Sequence, residues 1–178
     1  MPTRQAILVA IGADRPGVLD DISLFLIERK VDILESRVSL LRGQFGLLLL
    51  IRADDDAITQ LEQKLPDLNR SAGIQTELRP ASDATASDNM PLRLTASGSD
   101  PATAVFRLSH LMRVLNVNIE NIETSTASRT AGPREEGSSG FTLEMDLSVP
   151  RTTPVMMLKQ YVQSLADELK IACDVNSL

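Results

Sequence analysis

The sequence predicts an α+β fold: two consecutive βαββαβ domains, each an antiparallel sheet with both helices on one face. Three observations predict it. The chain reads twice at an offset of 86 residues, and within each copy the apolar spacing alternates between strand and helix periods. At 178 residues and 43% apolar content, the chain is long enough for two small cores.

The offset places Gly12 on Gly98, Asp14 on Asp100, Ile22 on Leu108 and Leu26 on Met112. Val31-Asp32-Ile33 falls on Val117-Asn118-Ile119 without a gap. A strand end, a turn, a helix and the head of a second strand are therefore repeated together, and duplication is the simplest account.

Each copy opens on a strand. Ala6 to Ile11 is a short apolar run closed by Gly12, and Leu92 to Ala96 alternates before Gly98. Helical spacing follows at Val18, Leu19, Ile22, Phe25 and Leu26, and again at Ala104, Val105, Leu108, Leu111, Met112 and Leu115. Next, Ile33 to Leu41 and Gln44 to Arg52 flank Arg42-Gly43, the spacing of a tight hairpin. The second copy separates its two strands by Ala127 to Gly140, rich in Ser, Gly, Arg and Glu, which reads as a long mobile loop.

A second helix is expected from Ile58, Leu61, Leu65 and Leu68 in one copy, and from Leu158, Tyr161, Val162, Leu165 and Leu169 in the other. Asp54-Asp55-Asp56 favours the first start through the helix dipole, and Thr153-Pro154 signals the second by capping. Ile74 to Leu78 and Ile171 to Val175 close the copies as last strands. The domains are expected at residues 1–79 and 92–178, joined by a linker over 80–91. This is the split βαβ, or ferredoxin-like, arrangement in tandem.

The sheet face away from the helices must be polar or covered. In the second copy Thr142, Glu144, Asp146 and Ser148 alternate with apolar residues, as on a wet face. In the first copy Phe45 to Ile51 is apolar on both sides, so Leu48 and Leu50 call for a cover: the other copy, a second protomer or a partner. The alternative is a locally bent strand whose outer leucines stay half-exposed.

Charge and composition exclude several function classes. Eighteen Lys and Arg stand against 24 Asp and Glu, a net charge of −6, and the aromatics are four Phe and one Tyr. Nucleic-acid binding needs phosphate-neutralising cations and stacking rings, and a membrane anchor needs a basic patch; neither is expected here. One cysteine, Cys173, excludes an internal disulfide, and one histidine, His110, excludes a His-rich metal centre. No cofactor is called for. The apolar run at the start is shorter than a signal core or a span, so a soluble, unprocessed cytoplasmic protein is expected.

The densest chemistry lies at Gly12-Ala13-Asp14-Arg15-Pro16-Gly17-Val18. Pro16 is expected at the first helical position, where its missing N–H costs nothing. Gly17 leaves the first turn's free N–H groups uncovered for a small carboxylate, and Asp14 can accept from an ammonium group. That suits an amino acid, although ordinary turn and capping chemistry uses the same residues. Thr103 stands where the first copy has Gly17, so the second pocket is expected closed or altered.

His110 reads as a partly exposed helical residue, Cys173 as a buried and inert thiol, Glu135-Glu136 as solvated, and Met156-Met157 as core. No Ser/His/Asp, Cys/His or metal constellation for an enzyme is found.

A strand, then Gly12-Ala13-Asp14-Arg15-Pro16-Gly17-Val18-Leu19, a helix, and Val31-Asp32-Ile33 resemble the ACT domain, the small-molecule regulatory module of amino-acid metabolism. The tandem, with Glu35-Ser36-Arg37 and Ala57 to Pro66, is similar to the glycine cleavage system transcriptional repressor family. The resemblance implies ligands held between ACT domains, by the loop after the first strand and the start of a neighbour's second strand. Carried over, this implicates Gly12, Asp14, Arg15, Pro16, Gly17 and Val18, faced by Asp32 and Ile33 or by Asn118 and Ile119. The Asn118 amide both donates and accepts, whereas ionised Asp32 only accepts.

The resemblance further implies a homo-oligomer that senses a small amino acid, with glycine preferred. It would control transcription of amino-acid and one-carbon metabolism genes through a protein partner such as a transcriptional activator, since no DNA-reading segment is present. The other reading is a ligand-free tandem module for interaction or oligomerisation that regulates an enzyme.

Overall fold

A computed structural model of the chain describes residues 3–82, 88–127 and 140–178. Two units are formed, Met1–Ala84 and Thr85–Leu178. In the first, strand β1 (Thr3–Ala13) leads to helix α1 (Val18–Ile27), strands β2 (Asp32–Leu41) and β3 (Gln44–Asp54), helix α2 (Asp55–Ala72) and strand β4 (Ile74–Pro80). The second repeats this with β5 (Asn89–Gly98), α3 (Pro101–Val114), β6 (Asn118–Ala127), β7 (Gly140–Pro150), α4 (Val155–Leu169) and β8 (Ala172–Ser177). The strand orders are β2-β3-β1-β4 and β6-β7-β5-β8, all antiparallel. The fold is the expected α+β tandem.

Burial of one side of each sheet forms the cores. Leu8, Leu49, Ile51, Ile22, Leu26, Ile58, Leu61 and Leu68 fill the first, and Leu94, Leu143, Met145, Leu108, Met112, Leu158 and Val162 the second. Period-two positions of the strands meet the helical stripe, so each helix pair covers one face. Arg42 and Gly43, at φ 48° and 78°, make the two-residue turn whose twist matches paired strands.

Both second strands carry a bulge at corresponding places, between Ile33 and Glu35 in β2 and between Ile119 and Asn121 in β6. The extra residue is Leu34 in one and Glu120 in the other. Strand β3 itself is unbroken, and its outer leucines differ: Leu48 is 48% exposed and Leu50 half-buried. Ile7 and Val9 lie opposite them on β1, also half-buried. The corresponding face of the second sheet carries Arg93, Thr95, Thr142, Glu144 and Asp146. One open face is apolar and the other polar.

Several local expectations are corrected. Asn89, Met90 and Pro91, expected in the linker, are strand β5 and lie opposite Pro150, Val149 and Ser148. Pro154, not Thr153, is the cap of α4, and no side chain caps that end. Met156 and Met157 are 68% and 45% exposed rather than core, because Val155 and Leu158 take the inward positions at the head of α4. Cys173 is half-buried, and that burial pushes its thiol pKa up. The expected mobile loop, including Glu135-Glu136, and the middle of the expected linker lie outside the described residues.

Candidate functional site

Strand β1 ends where crowding and helix geometry meet. Gly12 sits between Phe45 of β3 and Ile74 of β4. A Cβ on Gly12 would come 2.9 Å from Ile74 Cγ2 and 3.1 Å from the Gly73 carbonyl. Gly98 meets the same obstacle, 2.5 Å from Ile171 Cγ2. Both glycines therefore serve the close approach of the first strand to the head of the last.

Beyond Gly12 the chain leaves the sheet with one tie, the Asp14 N–H donating to the Gly43 carbonyl at 2.9 Å. Asp14 is exposed, and its carboxylate has no partner among the described residues. Gly17 then adopts φ 89°, the left-handed region, and is the N-cap of α1. This corrects the expectation for Pro16: a residue at that φ cannot be helical, so the helix begins at Val18 and Pro16 lies before the cap. Because glycine has no side chain, no side-chain cap bonds the first turn. Val18 is buried and anchors the turn in the core.

Arg15 closes the loop over this helix end. Its guanidinium donates to the Pro16 carbonyl at 3.3 Å, to the Ala72 carbonyl at 3.1 Å and to the Asp21 carboxylate. Asp20 and Asp21 already stand in the first turn of α1, where acids favour the positive helix end. The Val18 N–H donates to the Arg15 carbonyl at 3.3 Å and the Asp21 N–H to the Gly17 carbonyl at 2.9 Å, so among the described residues the groups left open are the exposed Asp14 carboxylate and the N–H groups of Leu19 and Asp20.

The second copy solves the same turn differently. Asp100 is the N-cap of α3, and its carboxylate accepts from the Thr103 N–H at 3.1 Å. Pro101 takes the first helical position expected of Pro16. The hydrogen bonds from Thr103 hold the Asp100 carboxyl below its usual pKa. Here the acid that corresponds to Asp14 is consumed in capping.

The other candidate residues lie at the far end of each sheet. Asp32 faces Arg52, whose guanidinium reaches its carboxylate at 3.4 Å, while Asp14 leaves the sheet beside Gln44. Eight strand steps separate Gln44 from Arg52, about 26 Å at the usual rise. Asp14 and Asp32 of one unit are not brought together. Asn118 donates from Nδ2 to Glu120 at 2.7 Å, leaving its carbonyl oxygen and a second N–H. Ile33 is 43% exposed beside its bulge, and Ile119 is half-buried against the second core.

The bulges at Leu34 and Glu120 and the tie from Arg15 to Ala72 were not expected. The adjacent apolar pair Ile33-Leu34, which breaks the alternation, is the signal that marks the first bulge. His110 is exposed, 3.3 Å from Arg113, with the Phe106 ring nearby. No group of three metal-ligating side chains occurs among the described residues. No helix among them is long and apolar enough to cross a membrane.

Residues 4–79, the first unit, match the ACT domain family, and the second unit repeats the same strand and helix order. The chain is similar to the glycine cleavage system transcriptional repressor of Escherichia coli (strain K12), with 23% identity over 175 residues, 96% of this chain and 88% of that protein. Its fold also matches the crystal structure of an unknown protein from Galdieria sulphuraria, at TM-score 0.80 and 21% identity over 99% of both chains. A second match is the crystal structure of a proposed glycine cleavage system transcriptional repressor, at TM-score 0.77 and 18% identity over 100% of this chain and 99% of that one.

Proposed function

We propose that the protein is a non-catalytic regulator that senses a small amino acid, glycine being the first candidate, at the loop between β1 and α1 of its first domain. It acts through a protein partner, such as a transcriptional activator, to control genes of amino-acid and one-carbon metabolism, and it self-associates through its ACT domains. The observation that carries this reading is the contrast between the two loops. The exposed Asp14 carboxylate has no partner among the described residues beside a helix end that lacks a side-chain cap, whereas Asp100 is spent on its own cap. An amino acid offers the two complementary groups: an ammonium for Asp14 and a carboxylate for the free N–H groups.

Asp14 and Asp32 flank opposite ends of β3, about 26 Å apart from Gln44 to Arg52, which supports a site completed by a different domain. The net charge of −6 favours a protein partner over nucleic acid. Similarity to a transcriptional repressor over 96% of the chain supports the transcriptional role.

A second reading, a ligand-free interaction module that regulates an enzyme, is favoured by Asp20 and Asp21. These acids already compensate the helix dipole, and Arg15 is committed to Asp21. Calorimetric titration of the full chain with glycine, then serine, separates the two readings. Saturable binding that is lost in Asp14→Asn supports a sensor, and no binding by folded protein supports the module.

A further inference from the structure

The open face of the first sheet has an ordered charge pattern, in which Glu77 and Arg79 pair with each other along β4 at 2.8 and 3.0 Å while Glu35 and Arg37 edge the face on β2. Strand register sets out three rows across β2, β3, β1 and β4: Arg37, Leu48, Val9, Glu77; then Glu35, Leu50, Ile7, Arg79; then Ser39, Gly46, Ile11, Gln75. Residues directly opposite in antiparallel strands share a face, and the intervening Leu8, Ala10, Leu47 and Leu49 are buried on the other side. Each of the first two rows has a charge at one end, two apolar residues in the middle and the opposite charge at the other end. The third row places Ile11, 53% exposed, beside Gly46.

We propose that this face packs against the same face of a second copy of the chain, about a two-fold axis parallel to the strands. That rotation lays β3 of one protomer over β1 of the other. Arg37 then meets the opposite protomer's Glu77 position, Glu35 meets its Arg79 position, and Ile11 fits over the space left by Gly46. Leu48 lies over Val9 and Leu50 over Ile7, which buries the apolar middle at the usual spacing of about 10 Å between stacked sheets. The four charges cancel within the face although the chain as a whole is at −6, so a second copy is not repelled there. A two-fold across the strands, placed midway between the two charged rows, would set Ile11 over Gln5, leaving its side chain against a polar group, and one placed through the Val9 row would set Arg37 over Arg37 and Glu77 over Glu77. The face of the second sheet, with Glu144, Asp146 and Arg93, offers no apolar complement.

This rests on the self-association part of the proposed function and names its surface. Sedimentation velocity of the full chain over a range of concentrations tests it, with far-UV circular dichroism and thermal melting reporting the fold. The wild type should form a reversible dimer. Leu48→Glu and Glu35→Arg should each raise its dissociation constant by about tenfold or more, and adding Arg79→Glu to Glu35→Arg should restore it. If Leu48→Glu does not fold, the pair on exposed rims still decides. A dimer unchanged by all these substitutions overturns the face and leaves self-association through another surface. A wild type that is monomeric at every concentration overturns both, while amino-acid binding is read separately by calorimetry.

Discussion

The Arg15 guanidinium donates to the main-chain carbonyl of Ala72 at 3.1 Å, joining the loop before α1 to the last turn of α2, 57 residues further along. Carbonyls at a helix C-terminus lack intrahelical donors, and a cation there also meets the negative end of the dipole. Arg15 thereby shapes the candidate site as a brace, holding the loop while Asp14 stays open.

Removing the brace should loosen the loop without unfolding the domain. Arg15→Ala is expected to cost about 1 kcal/mol, since its partners are half-exposed and a neutral acceptor remains. Urea unfolding measures this, and a double-mutant cycle with Asp21→Ala separates the carboxylate from the carbonyl. Arg15→Lys should not restore the loss, because one ammonium cannot span three acceptors as the planar guanidinium does.

Gly12→Ala and Gly17→Ala should fail for different reasons. At Gly12 the added methyl meets Ile74 and the Gly73 carbonyl, an overpacking cost of about 1–3 kcal/mol. At Gly17 the nearest atom is Arg15 Nη1 at 3.7 Å, so the cost of about 1 kcal/mol comes from φ 89° alone. Gly17→Asn should then retain more stability than Gly17→Val, an order that chemical denaturation can read and that steric crowding would not produce.

Asp100 should make the second domain sensitive to acid. Its folded pKa is depressed, chiefly by hydrogen bonding with Thr103, below the ordinary value of about 3.9. Its contribution is therefore present above that value and lost as pH falls through the lower folded value. Asp100→Ala should melt at a lower temperature than wild type at pH 7, and the difference should shrink below about pH 4. Thermal scans at several pH values check the sign.

The fold was legible because two signals agreed: the repeat at offset 86, and periods that changed from strand to helix at matching places. What escaped depended on contacts or on backbone angles. The sequence places the helix start at Pro16, but the left-handed Gly17 moves that start to Val18. Met156 and Met157 read as core, although at the head of α4 the inward positions are taken by Val155 and Leu158. The site was legible as a segment, through the glycines and Asp14. The roles within it were not, because Ala72 and Ile74 lie some sixty residues from the loop they shape.

The central claim is that the first β1–α1 loop receives an amino acid, and calorimetric titration of the folded full chain with glycine, for wild type and Asp14→Asn, tests it most directly. The Asp14 carboxylate has no hydrogen-bond or ion-pair partner among the described residues, and its one tie, the N–H to the Gly43 carbonyl, is main-chain, so the substitution should leave the melting temperature unchanged. The account predicts saturable binding to wild type that is weakened about tenfold or more in the variant. Equal binding by both proteins, or no binding of glycine or serine by either, would contradict it.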